Sequence, residues 1–523
     1  MRPRAQEAPG FHNFRNSCKI YLYLKKNYNE VTCCFYTDLE KQWKPNPMDF
    51  KKKEFFIELF GPEVYAVGGS VRDFIRGDPS EDVDILITHH TVDEIIEKLG
   101  HHGKVDVVGK SFGVIKFTTE GKTYDIALPR KDKPKQKKAR KHKDFIISAD
   151  PDMPLEKDLE RRDFRCNSIA VRLCDGKIFD PFNGQKDIAE KVLKLTNPQA
   201  FPEDPLRVLR AARFASVLGF SVDPKIYAIA KNIDLSGISV ERIKEELFKI
   251  MLFSPRPSLG LDELFKLSAL RPLFPELYKL TLCIQDSVFH PEKDMYGHHT
   301  VWAHTLITID QAKRLATQFH LEEQKSLTLQ LAALFHDVGK PDTTHWEFKR
   351  GRMIITSNGH DVLSAKISKK MLGRLKIFSW NGYNLKKMIP SLIKCHHRTS
   401  ELWQNRDIVT KKAFNRLAAD VDGEIELLIY LDAADRAGRK KKAIQGLDRE
   451  GRWLLGKFEE LNISKESIKP LIMGRDLIIL GVSPGPAMGR YLKRLYQMQL
   501  DNEFETKEKG LILAEELIKK GHQ

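Results

Sequence analysis

The stretch Val64–Thr88, VYAVGGSVRDFIRGDPSEDVDILIT, constrains this chain more than any other. VYAVGG reads as a buried strand ending in a double glycine, SVRDFIRG as a helical turn or two stopped by Gly77, and DVDILIT as a second strand. At the strand-to-helix turn, Gly68 and Gly69 lack the Cβ atoms that would hold a ligand off the backbone, and the free N–H groups of the helix start favour an anion such as a phosphate. The strand period puts Asp82 and Asp84 on one face. Carboxylates side by side repel unless a cation joins them. Oxygen ligands of this hardness suit Mg²⁺, and two such ions about 3.5–4 Å apart can clamp the attacking and leaving oxygens of a phosphoryl transfer. The competing reading is a solvated pair of aspartates on an edge strand.

With 523 residues the chain has room for roughly three or four domains. From Met48 to about Thr196, apolar strands such as KVDVVG, GVIKFTT and TYDIALP mix with helices around a short sheet. After Thr196 strands become scarce: EDPLRVLRAARFASVLGF, VERIKEELFKIML and nearly everything onward read as amphipathic helices, with Pro/Gly punctuation at 253–257 and 272–275 marking joints. The expected fold class is α+β, a head with a short mixed sheet followed by helical regions. The basic run Arg130 to Lys143, RKDKPKQKKARKHK, interrupts the head and reads as a solvated loop, of the kind that can also track a phosphate backbone. Residues 1–47 show no clear hydrophobic period and read as an extension, either a targeting segment or an over-extended start.

Composition acts as a filter on partners and compartment. The net charge of +16 and pI of about 9.3 favour a polyanionic partner. Seven cysteines without a Cys-x-x-Cys pair give neither a disulfide framework nor a zinc knuckle, so a reducing, cytoplasmic setting is expected. No run of 18 or more apolar residues occurs, and no membrane span is expected.

Further motifs carry chemistry. Asp125 in TYDIALPR lies on an expected neighbouring strand, placed to complete a carboxylate triad with Asp82 and Asp84 as proton acceptor or second metal ligand. DLERRDFRCNSIAV sets Asp158 and Arg161 three apart, with Arg162 and Asp163 following, which is either a surface ion pair or a grip on ribose and triphosphate. EDPLRVLRAARF spaces Glu203, Arg207 and Arg210 along one helix face, with Asp204 one turn from Arg207. A second series runs through His304 in HHTVWAHTL, His336 and Asp337 in LAALFHDVGK, His360 in GHDVLSA, His396 and His397 in KCHHR, and Asp435 in LDAADRAGR. One His–Asp pair on an apolar helix is commonly a hydrogen-bonded structural pair, but here the members recur in order, each in a helical context.

In order, GGSVRD with DVD, RRDFRCNS, FDPFNGQKDI, EDPLRVLRAARFA and ERIKEEL resemble the class II RNA nucleotidyltransferases, which include the tRNA CCA-adding enzymes and the bacterial poly(A) polymerases, over about Tyr65 to Leu277. The resemblance implies a nucleotidyltransferase head (48–196) with two Mg²⁺ ions, then a helical neck (197–285) and later a helical tail (446–523), together cradling RNA. It implies that Gly68, Gly69 and Arg72 touch the triphosphate, Asp82 and Asp84 hold the metals, Asp158 and Arg161 grip the sugar, and Asp204, Arg207 and Arg210 address the incoming base and phosphates. Asp125 stands where many members carry a glutamate strand such as EVTTFR. The histidine series is similar to the HD phosphohydrolase domain (290–445), which implies His304, His336, Asp337 and Asp435 around one divalent metal such as Mn²⁺, Ni²⁺ or Mg²⁺. His360 with His396 or His397 would add a second site or phosphate contacts. MGRDLIILGVSPGPAMGRYLKRL is similar to the C-terminal segment of bacterial CCA-adding enzymes that join such a domain to this head. The expected function is template-free addition of C and A, from CTP and ATP, to the 3′ end of tRNA. The alternatives are a poly(A) polymerase or a partial CC- or A-adding enzyme and, in another class, an HD phosphohydrolase whose head has become an inactive RNA-binding module.

Overall fold

The structure, a computed structural model, describes residues 52–78, 82–108, 114–134, 145–349, 351–439, 445–463 and 468–521. The expected extension 1–47 and residues 135–143 of the basic run lie outside them. Among the described residues the head carries ten strands: β1 (Val64–Val67), β2 (Asp84–Ile87), β3 (Lys104–Val108), β4 (Val114–Thr119), β5 (Lys122–Ala127), β6 (Arg130–Pro134), β7 (Phe145–Ala149), β8 (Ala170–Arg172), β9 (Ile178–Phe179) and β10 (Val192–Leu193), the last paired with Ser221–Val222 beyond the head. Seven form one sheet in the order β3-β4-β5-β2-β1-β8-β9, antiparallel except where β2 meets β5. β6 pairs with β7 in a separate hairpin, so Arg130–Pro134 is a strand and not the expected loop. Ladder bonds to the apolar FIISA segment outweigh the weak strand preference of its Lys and Asp residues.

Strand β1 runs straight into the helix Gly69–Ile75. Gly68 at the joint has φ 75° and ψ −132°, a conformation that only glycine adopts at no cost. A Cβ there would also lie 3.0 Å from Arg162 Nη1 and 3.3 Å from Asp84 Oδ2. Ile85, Leu86 and Ile87 are fully buried, and each contributes on the order of 2 kcal/mol. Their burial sets the register in which Val67 stands opposite Asp84. Behind the sheet, the buried Phe164 packs edge-on against Phe201 at 6.3 Å and Phe214 at 5.7 Å, tying the head to the helix Leu206–Leu218.

Helices dominate the rest of the described chain, with one hairpin that the sequence reading passed over, His345–Lys349 with Arg352–Thr356. Its Trp346 and Phe348 are exposed, so its alternation marks no buried face. The helix Glu323–Phe335 is buried on every side from Ser326 to Phe335. A helix apolar all round belongs in a core. It therefore delivers His336 and Asp337 into the space between the helices Val301–Gln318, His360–Arg374, Leu385–Cys395 and Ile425–Gly438. The tail has its own small core around Ile472, Leu477, Leu495 and Phe504. Asp501 anchors it through Lys412 at 2.6 Å and Arg416 at 2.8 Å.

Candidate active sites: an arginine cleft and a buried histidine centre

Gly68, Gly69, Arg72, Asp84, Arg161, Asp204, Arg207 and Arg210 converge on one cleft of about 490 Å³. Among the described residues eight arginines line it against four carboxylates, a balance that draws in a polyanion. Arg72, Arg210 and Arg213 lie over the ring of Phe214 at 5.2, 5.2 and 4.0 Å, a platform that fixes three like charges in place. Arg72 is further clamped by Asn167 Oδ1 at 2.7 Å and by Asp73 at 2.7 and 2.9 Å. Asn167 donates in turn to Asp163 Oδ1 at 3.1 Å, and Arg210 Nε donates to Asp163 Oδ2 at 2.6 Å. Burial alone would raise the Asp163 carboxyl, but Arg210 and the hydrogen bonds hold it below the usual carboxylate range.

Two expectations are corrected here. Asp158 does not reach the cleft surface: it is fully buried, with Arg161 Nη2 at 2.6 Å and Arg162 Nη2 at 3.3 Å. A buried carboxylate needs such partners, and Asp158 orients these two arginines, which line the cleft. The helix with Arg207 and Arg210 begins at Leu206, so Glu203 and Asp204 precede it and do not share its face. The cause is Pro205, which forces Asp204 into extended backbone. There Asp204 meets the fork of Arg242, at 3.1 and 2.7 Å. Arg207 donates to the carbonyls of Ala200 at 2.5 Å and Arg161 at 2.8 Å.

Asp84 faces the cleft. Crowding by protein raises its carboxyl above the usual range; Arg162 opposes the rise, while Asp125 and Asp82 add to it. Asp125 is the register partner of Asp84 across the parallel pair β2–β5, but its carboxylate reaches Lys116 Nζ at 3.1 Å. Asp82 lies exposed just before β2. The sequence reading named neither Arg130 nor Arg213 nor Arg242 as site residues, and left Arg162 and Asp163 without a role. Arg162 and Asp163 stood within the quoted RRDF, and Arg242 within VERIKEEL.

The second site is largely buried. His304, His336 and His396 are 0 % exposed and Asp337 1 %. His304 Nε2 lies 2.8 Å from Asp435 Oδ1, His336 Nε2 3.2 Å from Asp337 Oδ2, and His360 Nε2 3.3 Å from Asp337 Oδ1. His397 Nε2 approaches His360 Nε2 at 3.1 Å. Lys340 Nζ at 2.8 Å from Asp337 and Arg439 Nη2 at 2.8 Å from Asp435 close the sides; the sequence reading had neither. His336, His360 and His396 each give Nδ1–H to a main-chain carbonyl, of Ala333 at 2.7 Å, Ser357 at 2.6 Å and Ile393 at 2.5 Å. With Nδ1 so occupied, each ring turns Nε2 toward the centre, as the atom that a metal would take in place of a proton. His336 Nε2, His396 Nε2 and both Asp337 oxygens are buried without an aligned hydrogen bond. Orphaned donors of this kind, with His304, His336 and Asp337 in one close group and His360, His396 and His397 in another, fit a divalent metal ion. Burial opposes charge on His336, yet Asp337 and Asp435 outweigh it and hold its imidazole well above the ordinary range, while the same aspartates sit far below theirs.

The comparisons with known proteins agree with this geometry. The family described as Poly A polymerase head domain matches residues 64–194, the one described as Probable RNA and SrmB- binding site of polymerase A matches 219–280, and HD domain matches 301–438. The Multifunctional CCA protein of Stenotrophomonas maltophilia (strain K279a) is 32 % identical over 449 residues, covering 83 % of this chain and 97 % of that protein. The chain belongs to the CCA-adding enzyme family that carries an HD domain. Another family member, the Multifunctional CCA protein of Actinobacillus pleuropneumoniae serotype 5b (strain L20), is 32 % identical over 68 % of this chain and 80 % of its own length. The fold is shared with the CCA-adding enzyme of Bacillus stearothermophilus, solved in complex with CTP, at a TM-score of 0.54 and 22 % identity over 90 % of this chain and 97 % of that one. Residues within the matched head domain, Gly68 to Asn167, form one side of the arginine cleft and residues 203–242 the other, while the histidine centre lies within the matched HD domain.

Proposed function

We propose that this enzyme adds C and A to the 3′ end of tRNA, using CTP and ATP without a nucleic-acid template. The arginine cleft at the glycine turn, with Asp84 on one wall and Asp204 in the fork of Arg242, is the observation that carries this reading. The RNA 3′-oxygen would form a bond to the α-phosphorus as the bond to pyrophosphate breaks. Asp82 and Asp84 would hold Mg²⁺, which supplies charge neutralisation at the phosphates, with Asp125 beside them. Gly68 and Gly69 let the triphosphate approach the backbone, and Arg72, Arg161 and Arg210, already held in place by protein partners, meet its oxygens without reorganisation. Asp204 would accept from the exocyclic amino group of cytosine or adenine, and Arg207 would donate to the ring edge. Uracil and guanine present the opposite pattern, and each mismatched buried group costs roughly 1–3 kcal/mol.

The HD centre would be a metal-dependent phosphohydrolase, with Mn²⁺, Ni²⁺ or Mg²⁺ held by His304, His336, Asp337 and Asp435, and with His360, His396 and His397 as a second site or phosphate contacts. The proposal extends to a head of 48–196, a neck of 197–285, an HD region of 290–445, a tail of 446–523 and a cytoplasmic setting. Among the described residues the cysteines are unpaired and no helix is long and apolar enough to cross a membrane.

The test is kcat/KM for the four NTPs on one tRNA that lacks its 3′ end. Wild type is expected to use CTP and ATP, and Asp204→Asn, which adds a donor, to raise UTP relative to CTP by about tenfold. An unchanged ratio places base reading elsewhere, and long A-tails from ATP alone would mark a poly(A) polymerase.

A further inference from the structure

Glu292 and His290 were outside every expected ligand set, yet Glu292 is 5 % exposed and lies against the histidine centre. The loop that carries it is pinned. Ile284 bridges to Thr300, Gln285 N–H donates to the His299 carbonyl at 2.8 Å, and His299 Nδ1 reaches the carbonyls of His290 at 2.9 Å and Glu292 at 3.0 Å. So held, Glu292 Oε1 stands 3.0 Å from His304 Nδ1 and 2.9 Å from His290 Nδ1. The two rings meet edge to face at 4.9 Å.

His304 differs from the other histidines of the centre. His336, His360 and His396 have their Nδ1–H fixed by main-chain carbonyls. His304 Nδ1 has no such carbonyl: it is buried, its contact with Glu292 is bent, and Glu292 Oε2 is likewise buried without an aligned partner. Its other nitrogen, Nε2, faces Asp435 at 2.8 Å. An ionised carboxylate accepts only, so Glu292 favours a proton on Nδ1 as a carbonyl does, while Asp435 holds one on Nε2 until a metal replaces it; with the metal bound, Glu292 makes the ring a stronger donor at Nε2.

We propose that Glu292 is the positioning carboxylate of this centre. It accepts the Nδ1–H of His304, turns the Nε2 lone pair inward, and is itself held by the Nδ1–H of His290. This rests on the reading of the centre as a metal site. The same three donors could instead take an ion of their own, which would require His304 Nδ1 to be unprotonated. Stoichiometry separates the two.

The experiment uses the full chain, stripped of metal and titrated with Mn²⁺ by calorimetry, with ¹⁵N-histidine NMR of the protein saturated with diamagnetic Mg²⁺. E292Q is expected to weaken Mn²⁺ binding by about 10–100-fold with the number of sites and the metal-free Tm unchanged. E292D, which keeps the acceptor, is expected to recover most of the affinity. The wild-type His304 signal is expected as the Nδ1–H tautomer, with E292Q mixing in the other. A Kd within threefold of wild type in E292Q, an Nε2–H tautomer in the wild type, or one Mn²⁺ fewer per chain in E292Q would each overturn the proposal. If wild type binds no Mn²⁺, the metal reading itself fails, an outcome distinct from unchanged affinity in E292Q. Should E292Q not fold, E292D and H290A carry the test, with H290A expected to weaken Mn²⁺ about threefold and no change overturning the outer support.

Discussion

The arginine cleft and the histidine centre are both assembled from charged side chains, but the first is open to solvent and the second is largely buried. In the cleft Arg161, Arg210 and Arg242 keep 22, 31 and 29 % of their side chains exposed. Solvent screens their mutual repulsion, and an anionic ligand supplies the charge that the carboxylates there do not. The core of the histidine centre, His304, His336, His396 and Asp337, is buried and much less screened, so its donors depend on partners from the protein or on a cation. The difference teaches where each site is fragile. An open cleft loses function through the group at the reacting atoms and degrades gradually elsewhere, whereas a buried centre fails when any one donor is displaced.

The largest effect that sharpens this contrast is Asp84→Ala. Loss of a carboxylate at the phosphates is expected to cost about 4 kcal/mol, a drop of about a thousandfold in single-turnover incorporation. Mn²⁺ affinity of the histidine centre should stay at its wild-type value. Incorporation within tenfold of wild type would remove Asp84 from the chemistry. The reciprocal change, His336→Ala with Asp337→Ala, is expected to weaken Mn²⁺ binding by at least about a hundredfold and to end phosphoester hydrolysis, while incorporation stays within about threefold. Parallel loss of both activities in a folded protein would break the division into two sites.

A single methyl group probes the buried centre more finely. A Cβ at Gly438 would stand 2.3 Å from Thr308 Oγ1 and 2.9 Å from His304 Cε1, so Gly438→Ala is expected to cost about 1–3 kcal/mol in urea denaturation and to displace the ring of His304. At Gly69 the Cβ would meet Arg72 Nη2 at 3.6 Å, and Gly69→Ala should change stability by less than about 0.5 kcal/mol. Equal costs at the two glycines would contradict the contrast. The smallest effect belongs to Lys116→Ala, because its pair with Asp125 has side chains 44 and 45 % exposed. Under about 1 kcal/mol is expected in the same denaturation.

Much of the head was legible in the chain because its signals are local. The apolar run in DVDILIT and the double glycine after VYAV each fix the conformation of a few neighbouring residues, and β1, the helix Gly69–Ile75 and β2 formed there, although β2 starts only at Asp84, leaves Asp82 outside it and buries Ile85, Leu86 and Ile87 without alternation. The withdrawal of Asp158 was not legible, since three-residue spacing is the same for a surface pair and a buried one. Nor was the fork of Arg242 on Asp204, whose members are 38 residues apart, or the hairpin at 345–356, whose apolar residues cover nothing.

Sequence by itself determined the order of strand, turn and helix, the residue types available to each site and the side of each element on which they fall, because hydrophobic period, glycine freedom and proline exclusion act within a few residues. Only the tertiary structure decided which charges meet. Asp163 finds Arg210 across 47 residues and His304 finds Asp435 across 131. Packing of distant apolar faces sets those distances, and burial then determines how strongly each charge is felt.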